Sequence, residues 1–527
     1  MVKNYKTLLI SSLVLTALAL IAFSFKIPVL ESISVWSVIA FLLVLCGKKS
    51  ILQKKKIEDT SVKEIITAAI FIALVIALCV LPMGVAPYWN GKIPLHRNQY
   101  ELTADAILDG HLYIEYDDMD PRLLEMENPY DYDTRLKEQI IYHYDHAFYN
   151  GHYYMYFGVV PVFLLFIPFK LIFGHTLVTY HATQFFVMMG IIAIFLLFYN
   201  LARKFCKSMA LGTYLFVSAA VSLIVLGYCT QAPALYCTAI SGGVSMALWG
   251  LMLYSYGVFI AKKEWLQVLL CTLASLAAAL GFGCRPTAAL GCIVAIPLAV
   301  YYAKHYEGKH IVRNFAIIAI PYFVIAALLM TYNYVRFENP FEFGQAYQLT
   351  TYDQTQYGNI FARFSLATTL NSLFYNFLDI GEFTPEFPFI NYGGMLVGYP
   401  LMWLIVPLAT HKESISEMKK DKMGLVTLFL ALTPVFITLV DIQWAPGLCE
   451  RYRLDEYYLM GILAFILILY RLKTVKRTET YSTTVSVFAV VSMVFAFLYF
   501  MRPCDANIAD NMPELAENIR KVVLFGL

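Results

Sequence analysis

The stretch VTYHATQFFVMMGIIAIFLLFYNL, residues 178–201, contains no Asp, Glu, Lys or Arg. An α-helix of about 20 apolar residues is long enough to cross the hydrocarbon core of a bilayer. Segments of the same kind recur along the whole chain. The sequence therefore predicts membrane-spanning helices as the basic unit of the fold.

The composition supports this prediction. Of the 527 residues, 59% are hydrophobic and only 14% are charged, and the mean hydropathy is +0.63. A soluble protein of this size needs more charge to cover its surface. Composition thus excludes a cytosolic enzyme, a disordered chain and a disulfide-rich secreted protein. The net charge of +2 gives no indication of nucleic-acid binding. We expect an all-α polytopic membrane protein.

Thirteen apolar segments are candidate spans. The first resembles a signal peptide, but no small-residue cleavage site follows it, so we expect a retained helix. The candidates are 7–24, 29–46, 64–85, 178–201, 208–228, 238–260, 265–283, 287–303, 314–334, 392–410, 423–441, 454–470 and 482–501.

The apolar segment 157–173 is ambiguous because it carries Pro161, Pro168 and Lys170. The positive-inside rule decides between two topologies. If the segment does not cross, 24 of the 39 Lys and Arg residues lie in cytoplasmic pieces; if it crosses, 16 of these 24 move outside. We therefore predict a re-entrant or interfacial segment.

This topology leaves most polar residues outside the membrane. The external regions are 86–156, 335–391, 442–453 and the tail, 502–527. The chain then divides into two extra N-terminal helices with a basic cytoplasmic loop, a transmembrane core and a short external tail; these parts are 1–62, 63–501 and 502–527.

The first external loop is rich in acids. Residues Tyr100–Gly110 have the pattern of an amphipathic helix, with an apolar face that we expect to lie on the membrane. Its acids are a candidate solvated face. Two Asp-x-Asp triplets follow, and paired carboxylates can share a divalent cation. In so acidic a loop the pattern is weak evidence, so a divalent cation is only a candidate cofactor. The triplets are Asp118–Asp120 and Asp131–Asp133.

Residues 142–156 predict a hairpin. Asn150 and Gly151 stand between two aromatic runs, and this dipeptide is typical of a tight turn with positive φ at both positions. Asp145 precedes the hairpin. A carboxylate among aromatic side chains near an apolar boundary is suited to general base chemistry. The alternative is an anchored hairpin in which this carboxylate is a turn or cap residue.

The loop also carries a family resemblance. Its motifs, together with Asn333–Gln345 and Arg451-Tyr452-x-x-Asp455, are similar to those of bacterial membrane glycosyltransferases of the GT-C superfamily, whose relatives include protein O-mannosyltransferases and aminoarabinose transferases. The motifs are Tyr100-x-x-x-Ala104-Asp105-Ala106-Ile107-Leu108-x-Gly110, Asn128-Pro129-Tyr130-Asp131 and Asp145-x-x-x-Tyr149-x-Gly151-x-Tyr153-Tyr154-x-Tyr156-Phe157-Gly158-x-x-Pro161.

The resemblance implies a GT-C-like bundle, a polyprenyl-phosphate sugar donor, a bacterial plasma membrane and a site that faces outside. The family's base is an acid of the first external loop, and Asp105 and Asp145 are the matching acids. The sequence departs from the family in its two extra N-terminal helices. It also lacks the usual acid after the preceding span, where Pro94–Gln99 stand instead.

A lipid phosphate needs cations at the same face, and Arg can bind it with two hydrogen bonds. Arg285, Arg336 and Arg451 all fall at predicted external span ends. We expect them to meet around one cavity, although each could instead extend towards lipid headgroups. The aromatic rings of Tyr149, Tyr153, Tyr154 and residues 341–357 are candidates for stacking on sugars.

The sequence thus favours a glycosyltransferase that uses a lipid-linked sugar, with a saccharide, lipid or protein as acceptor. One alternative is a transporter or flippase of lipid-linked saccharides, which would place charges near the middle of its spans. Another is a non-catalytic membrane assembly protein, which would need no convergence of acids and arginines.

Overall fold

The fold was analysed in a computed structural model, which describes residues 2–85, 98–357, 364–385, 387–444, 450–501 and 512–526. Eleven of its helices are long and apolar enough to cross a membrane, so the chain is an integral multi-pass membrane protein. The predicted all-α fold class is confirmed. Residues 94–97 of the Pro94–Gln99 stretch lie outside the described residues.

The N-terminal part is a set of lipid-exposed helices. Only 6% of the span in α1, 17% in α2 and 11% in α4 is buried. Ser61 and Glu64 form a capping box that fixes the start of α4. The helices are α1 (Tyr5–Ser24), α2 (Pro28–Leu45), α3 (Ile51–Lys54) and α4 (Val62–Val80), which continues into a 3₁₀ turn at Leu81–Val85.

The first large loop folds around its own core. Tyr100 and Phe166 stack with their ring centroids 5.6 Å apart, and both are fully buried. Its elements are α5 (Gln99–Leu108), α6 (Arg122–Glu125), α7 (Tyr132–Lys137), β1 (Ala147–Tyr149), β2 (His152–Tyr154), a π-helical turn at Val162–Phe166 and α8 (Ile167–Phe173).

The predicted hairpin is confirmed. β1 and β2 pair antiparallel, with Ala147 opposite Tyr154 and Tyr149 opposite His152. Asn150 has φ +49° and Gly151 has φ +80°, as the two-residue turn requires.

The segment 157–173 folds as a short apolar helix, Val162–Phe173. Twelve residues span roughly 18 Å, less than the roughly 30 Å of the hydrocarbon core. It packs against α5, whose apolar face meets this segment through Tyr100, while Leu108 of the predicted face remains 39% exposed. This length supports the predicted topology, whose direction stays a prediction.

The central helices form the core of the bundle. Of the spans in α12 and α22, 83% is buried, because other helices surround them in the bundle. The middle helices are α9 (Thr179–Phe205), α10 (Leu211–Leu226), α11 (Tyr228–Gln231), α12 (Leu235–Phe259), α13 (Glu264–Cys284), α14 (Pro286–Ala289), a 3₁₀ turn at Leu290–Val294, α15 (Ala295–His305) and α16 (Ile311–Phe337).

The C-terminal part completes the bundle. Helix α22 packs against α10 and α21, and α23 packs against α10. Its helices are α17 (Leu366–Phe377), α18 (Pro400–Trp403), α19 (Ile405–Ala409), α20 (Lys412–Lys420), α21 (Gly424–Trp444), α22 (Leu454–Thr474), α23 (Thr478–Phe500) and α24 (Pro513–Val523), with 3₁₀ turns at Gln354–Tyr357 and Glu450–Arg453.

Two predicted spans need correction. The segment 208–228 contains a 16-residue helix, α10, and 392–410 contains only the short pair α18 and α19. Glycines and Pro400 interrupt the second segment. Its residues 394–396 instead donate backbone hydrogen bonds to the last two residues of α17 and to Asp379 just beyond it, including Met395 N to Asn376 O at 2.7 Å. Within the described residues, eleven helices therefore have the full length of a span, and these two segments form shorter apolar helices than predicted.

Candidate active site

Asp145 lies buried at the start of the hairpin, with 8% of its surface exposed. Its carboxylate accepts two hydrogen bonds from distant parts of the chain. Gln348 Nε2 donates to Oδ1 at 3.1 Å, and the Tyr236 hydroxyl donates to Oδ2 at the start of α12. Both donors are neutral, and together they fix the direction of the carboxylate.

The backbone around this carboxylate joins the two large loops. Asp145 has φ +58°, a left-handed conformation that is uncommon for a residue other than glycine. Its amide donates to Leu349 O at 3.1 Å, and Gln99 Nε2 donates to its carbonyl at 2.9 Å. The backbone carbonyl of the next residue, His146, accepts from the amide of Leu349 at 2.8 Å. These contacts stabilise the unusual conformation and aim the side chain.

The buried imidazole of His146 holds the backbone next to Asp145 in place. It is 2% exposed, and its Nε2 lies 2.7 Å from the hydroxyl of Tyr116 while Nδ1 lies 3.0 Å from Tyr144 O. The neutral ring satisfies both contacts if Nδ1–H donates and Nε2 accepts. Burial lowers the pKa of His146 to about 4. The imidazole is therefore neutral at physiological pH.

Arg285 carries the first cation. It follows α13, and its Nε lies 2.8 and 2.7 Å from the two oxygens of Asp455, a residue with no exposed surface. Thr287 Oγ1 donates to the same carboxylate at 2.6 Å. Among the described residues, no hydrogen bond uses the Arg285 Nη groups, and its side chain is 16% exposed. Asp455 thus anchors one edge of the guanidinium and leaves its planar fork available.

Aromatic rings connect the arginines to the acid. The Arg451 guanidinium lies 4.4 Å from the centroid of the Tyr236 ring, whose hydroxyl donates to Asp145. Arg285 and Arg451 lie 5.3 and 5.7 Å from the centroid of Tyr452. Two guanidinium groups and one buried carboxylate are therefore gathered on the side of the bundle that carries the first loop, called here the loop side.

Arg336 occupies a different environment. It is 4% exposed, donates to Met155 O at 2.7 Å and Asn333 Oδ1 at 2.9 Å, and lies 3.9 Å from the centroid of Tyr332. Within the part of the chain that the structure describes, its contacts join the hairpin to the end of α16 and include neither Tyr452 nor Asp455. The predicted meeting of three arginines is thus seen for Arg285 and Arg451 alone.

Asp105 lies on the surface of the loop, away from the Tyr236 contact. Its Oδ1 accepts from Lys170 Nζ at 2.6 Å, and the two side chains are 36% and 32% exposed. One turn earlier, Glu101 accepts from the backbone amide of Thr179 at 2.7 Å and so caps α9. Two of the three acids of the predicted helical stretch therefore attach the loop to its neighbours, and only Asp109, directly after α5, is exposed as the solvated face predicts.

The predicted sugar-stacking tyrosines differ in accessibility. Tyr153 is 1% exposed, and its ring meets those of Tyr116 and His143. Tyr154 is 7% exposed and packs on Phe337. Only Tyr149 is half-buried, with its ring centroid 4.6 Å from that of Tyr347. Tyr153 therefore belongs to the core of the loop.

The two Asp-x-Asp triplets make local contacts. Asp118 lies 3.0 Å from His143 Nε2, and Asp120 pairs with Arg122 at 2.6 Å. In the second triplet, Asp131 accepts from the amide of Asp133 at 3.1 Å and caps α7. Within the described residues, no three His, Cys, Asp or Glu side chains are grouped closely enough to hold a metal ion.

Several residues of the site escaped the sequence analysis. Tyr236 and Gln348 lie 91 and 203 positions from Asp145 along the chain, so no local pattern connects them. Asp441 could have been identified from the sequence, since a carboxyl at the end of an otherwise apolar span is costly without a role.

Comparison with known proteins gives distant matches. No family model and no curated protein matches the chain. The Archaeoglobus fulgidus oligosaccharyltransferase in its apo form is 13% identical, with a TM-score of 0.41, and the match covers 87% of this chain and 59% of that one. Oligosaccharyltransferase AglB from the same organism, in complex with an inhibitory peptide and a dolichol-phosphate, is 14% identical, with a TM-score of 0.37 and coverage of 82% and 56%.

This chain thus spans less than two thirds of the length of those two proteins. At such low identity and TM-scores the likeness carries no argument about the site, whose chemistry rests on its own residues.

Proposed function

We propose that this chain is a membrane glycosyltransferase of the GT-C superfamily. It would move a sugar from a polyprenyl-phosphate donor to an acceptor hydroxyl at the predicted external face. One observation carries the proposal: Tyr236 and Tyr452 bring Asp145 together with Arg285 and Arg451. Glycosyl transfer from a lipid phosphate needs both a base and an anion site.

Asp145 is the proposed general base. The acceptor hydroxyl gives its proton to this carboxylate while its oxygen attacks the anomeric carbon of the sugar. The bond between that carbon and the phosphate oxygen breaks, and polyprenyl phosphate leaves. Gln348 and Tyr236 hold the carboxylate in one orientation. A base that is already oriented towards the acceptor hydroxyl loses less entropy on reaching the transition state.

Arg285 and Arg451 are the proposed ligands of the donor phosphate. Negative charge grows on the phosphate as the sugar departs, and preorganised guanidinium groups stabilise that charge. Asp455 holds Arg285 by its Nε and leaves the Nη fork for two parallel hydrogen bonds. Tyr149, the most accessible of the three predicted stacking residues, is the proposed sugar contact.

The experiment uses the whole protein in proteoliposomes, with a polyprenyl phosphate that carries a labelled sugar. Transfer to an acceptor extract or slow transfer to water releases the label from the lipid. We expect release by the wild type and by Asp109→Asn, a matched exposed acid of the same loop, and little release by Asp145→Asn. Movement of intact donor across the bilayer, equal in all three proteins and without release, would instead support a flippase.

The orientation is tested separately. Single cysteines introduced as Asp109→Cys and Lys207→Cys react with a membrane-impermeant maleimide in intact cells. We expect labelling of position 109 and protection of position 207. Labelling of both positions from outside would place 157–173 across the membrane and overturn the external site.

A further inference from the structure

A second carboxyl lies behind the proposed phosphate site. Asp441, near the end of α21, is 2% exposed, and its Oδ2 has no hydrogen-bond partner among the described residues. Helix α21 packs against α22, which carries Asp455, and against α14, which directly follows Arg285. A buried carboxylate without partners is costly, whereas a neutral carboxylic acid is tolerated.

The groups beside this carboxyl already have partners. Arg285 pairs with Asp455. Glu456 accepts from the neutral amide of Asn376 at 2.9 Å. An ionised Asp441 would therefore add an unmatched negative charge next to the Arg285–Asp455 pair.

Helices α14 and α17 and the 290–294 turn, which pack on α21, contain no Lys or Arg. Helix α17 brings the amide of Asn376, and the 290–294 turn brings the Cys292 thiol. The charged ends of α15 and α20 meet the opposite end of α21, where His305 Nε2 lies 3.5 Å from Lys422 Nζ. That end lies roughly 25 Å away, at the rise of an α-helix.

We propose that Asp441 holds a proton, and that this proton lets the Arg285–Asp455 pair accept a lipid phosphate. The inference rests on the proposed function in one respect, the placement of the phosphate on Arg285. With Asp441 protonated, the Arg285–Asp455 pair beside it has no net charge, and Arg285 can take an anionic phosphate. With Asp441 ionised, the three side chains together carry a negative charge that repels the phosphate. Phosphate affinity therefore falls as pH rises through the titration of Asp441.

The first arm of the test detects the proton itself. Whole protein in lipid nanodiscs is examined at neutral pH by infrared spectroscopy for the carbonyl stretch of a protonated carboxylic acid. We expect Asp441→Asn to lose intensity in this band relative to the wild type, while Asp109→Asn loses none. An unchanged band in Asp441→Asn would overturn the inference. If Asp441→Asn fails to fold, Asp441→Glu should shift the band, and an unshifted band would overturn the inference equally.

The second arm measures binding of polyprenyl phosphate from neutral to alkaline pH. The wild type should lose affinity towards alkaline pH, by at most about tenfold per pH unit for one proton. Asp441→Asn, which is always neutral, should match the wild type within about twofold at neutral pH and keep its affinity at alkaline pH. Weaker binding by Asp441→Asn at neutral pH, or a pH profile identical to that of the wild type, would overturn the coupling.

Arg285→Ala separates this inference from the proposed function. If that variant binds polyprenyl phosphate as the wild type does, the proposed phosphate site is wrong and the coupling falls with it. If binding depends on Arg285 but Asp441→Asn shares the wild-type pH profile, the coupling alone is wrong.

Discussion

Helix α5 and the hairpin segment carry two acids that look equivalent in the sequence but have different surroundings. Asp105 is 36% exposed and forms an ion pair with Lys170, which also faces water. Asp145 is 8% exposed and accepts hydrogen bonds from Gln348 and Tyr236. The comparison teaches that burial and contacts with distant segments, rather than position in the loop, distinguish a candidate base from an acid that docks one helix on another.

The direct way to break this comparison is to neutralise each acid in turn. Asp145→Asn keeps the size of the side chain but removes its basicity, so we expect sugar release to fall at least about 100-fold. Asp105→Asn should stay within about twofold of the wild type, because it loses only a surface ion pair. Initial rates of label release give both values. Equal losses in the two variants would remove the distinction.

The buried histidine next to Asp145 predicts that the folded protein loses stability at acidic pH. Burial lowers the pKa of His146 from 6.5 to about 4. Below pH 6.5 the unfolded chain takes up a proton that the folded protein resists, so stability is full above this pH and falls towards pH 4. The loss reaches up to about 3 kcal/mol.

Thermal unfolding in detergent across this pH range measures the effect. His146→Gln should lose less stability on acidification than the wild type, while His152→Gln, an exposed histidine of the same hairpin, should behave as the wild type. Equal acid sensitivity in all three proteins would show that His146 is not buried as described.

A substitution at Arg285 tests whether this residue binds the donor phosphate. Arg285→Lys keeps the charge but loses the planar fork, and one charge-assisted hydrogen bond is worth roughly 1.5–3 kcal/mol. We expect KM for the donor to rise about tenfold or more, with a smaller change in kcat. Arg122→Lys, an exposed control that pairs with Asp120, should leave both constants unchanged. A pure loss of kcat would argue against a role in binding the donor.

The smallest effect concerns the ion pair on α5. Lys170→Ala removes the partner of Asp105, and a pair this exposed contributes about 0–1 kcal/mol. We expect a slightly lower melting temperature and unchanged sugar release, with Lys137→Ala as an exposed control. A large loss of activity in Lys170→Ala alone would bring Asp105 back as a candidate base.

Local features of the fold were predictable from sequence. Apolar runs gave eleven long helices because helix length must match the bilayer, and Asn150-Gly151 gave the hairpin because the turn depends on those two residues. The prediction of one continuous helix over 392–410 was wrong, because it weighed apolar content above the glycines and Pro400 that interrupt the helix.

The candidate site was predictable only in part. Asp145 was identified beside the hairpin of the first loop, and Arg285 and Arg451 were identified at predicted span ends. Their partners Tyr236 and Gln348 were not, because contacts across 91 and 203 positions depend on how the helices pack. The same limit applies to Arg336, whose neutral partners Met155 O and Asn333 are defined by tertiary packing.

The central claim is that one site on the loop side serves both the base and the donor phosphate. A cryo-electron microscopy structure of the whole protein with bound polyprenyl phosphate tests it most directly. The account predicts a phosphate within hydrogen-bond distance of the Arg285 Nη groups and Arg451, on the side that faces Asp145. A phosphate bound at Arg336, or at lipid-exposed helices away from Tyr452, would contradict it.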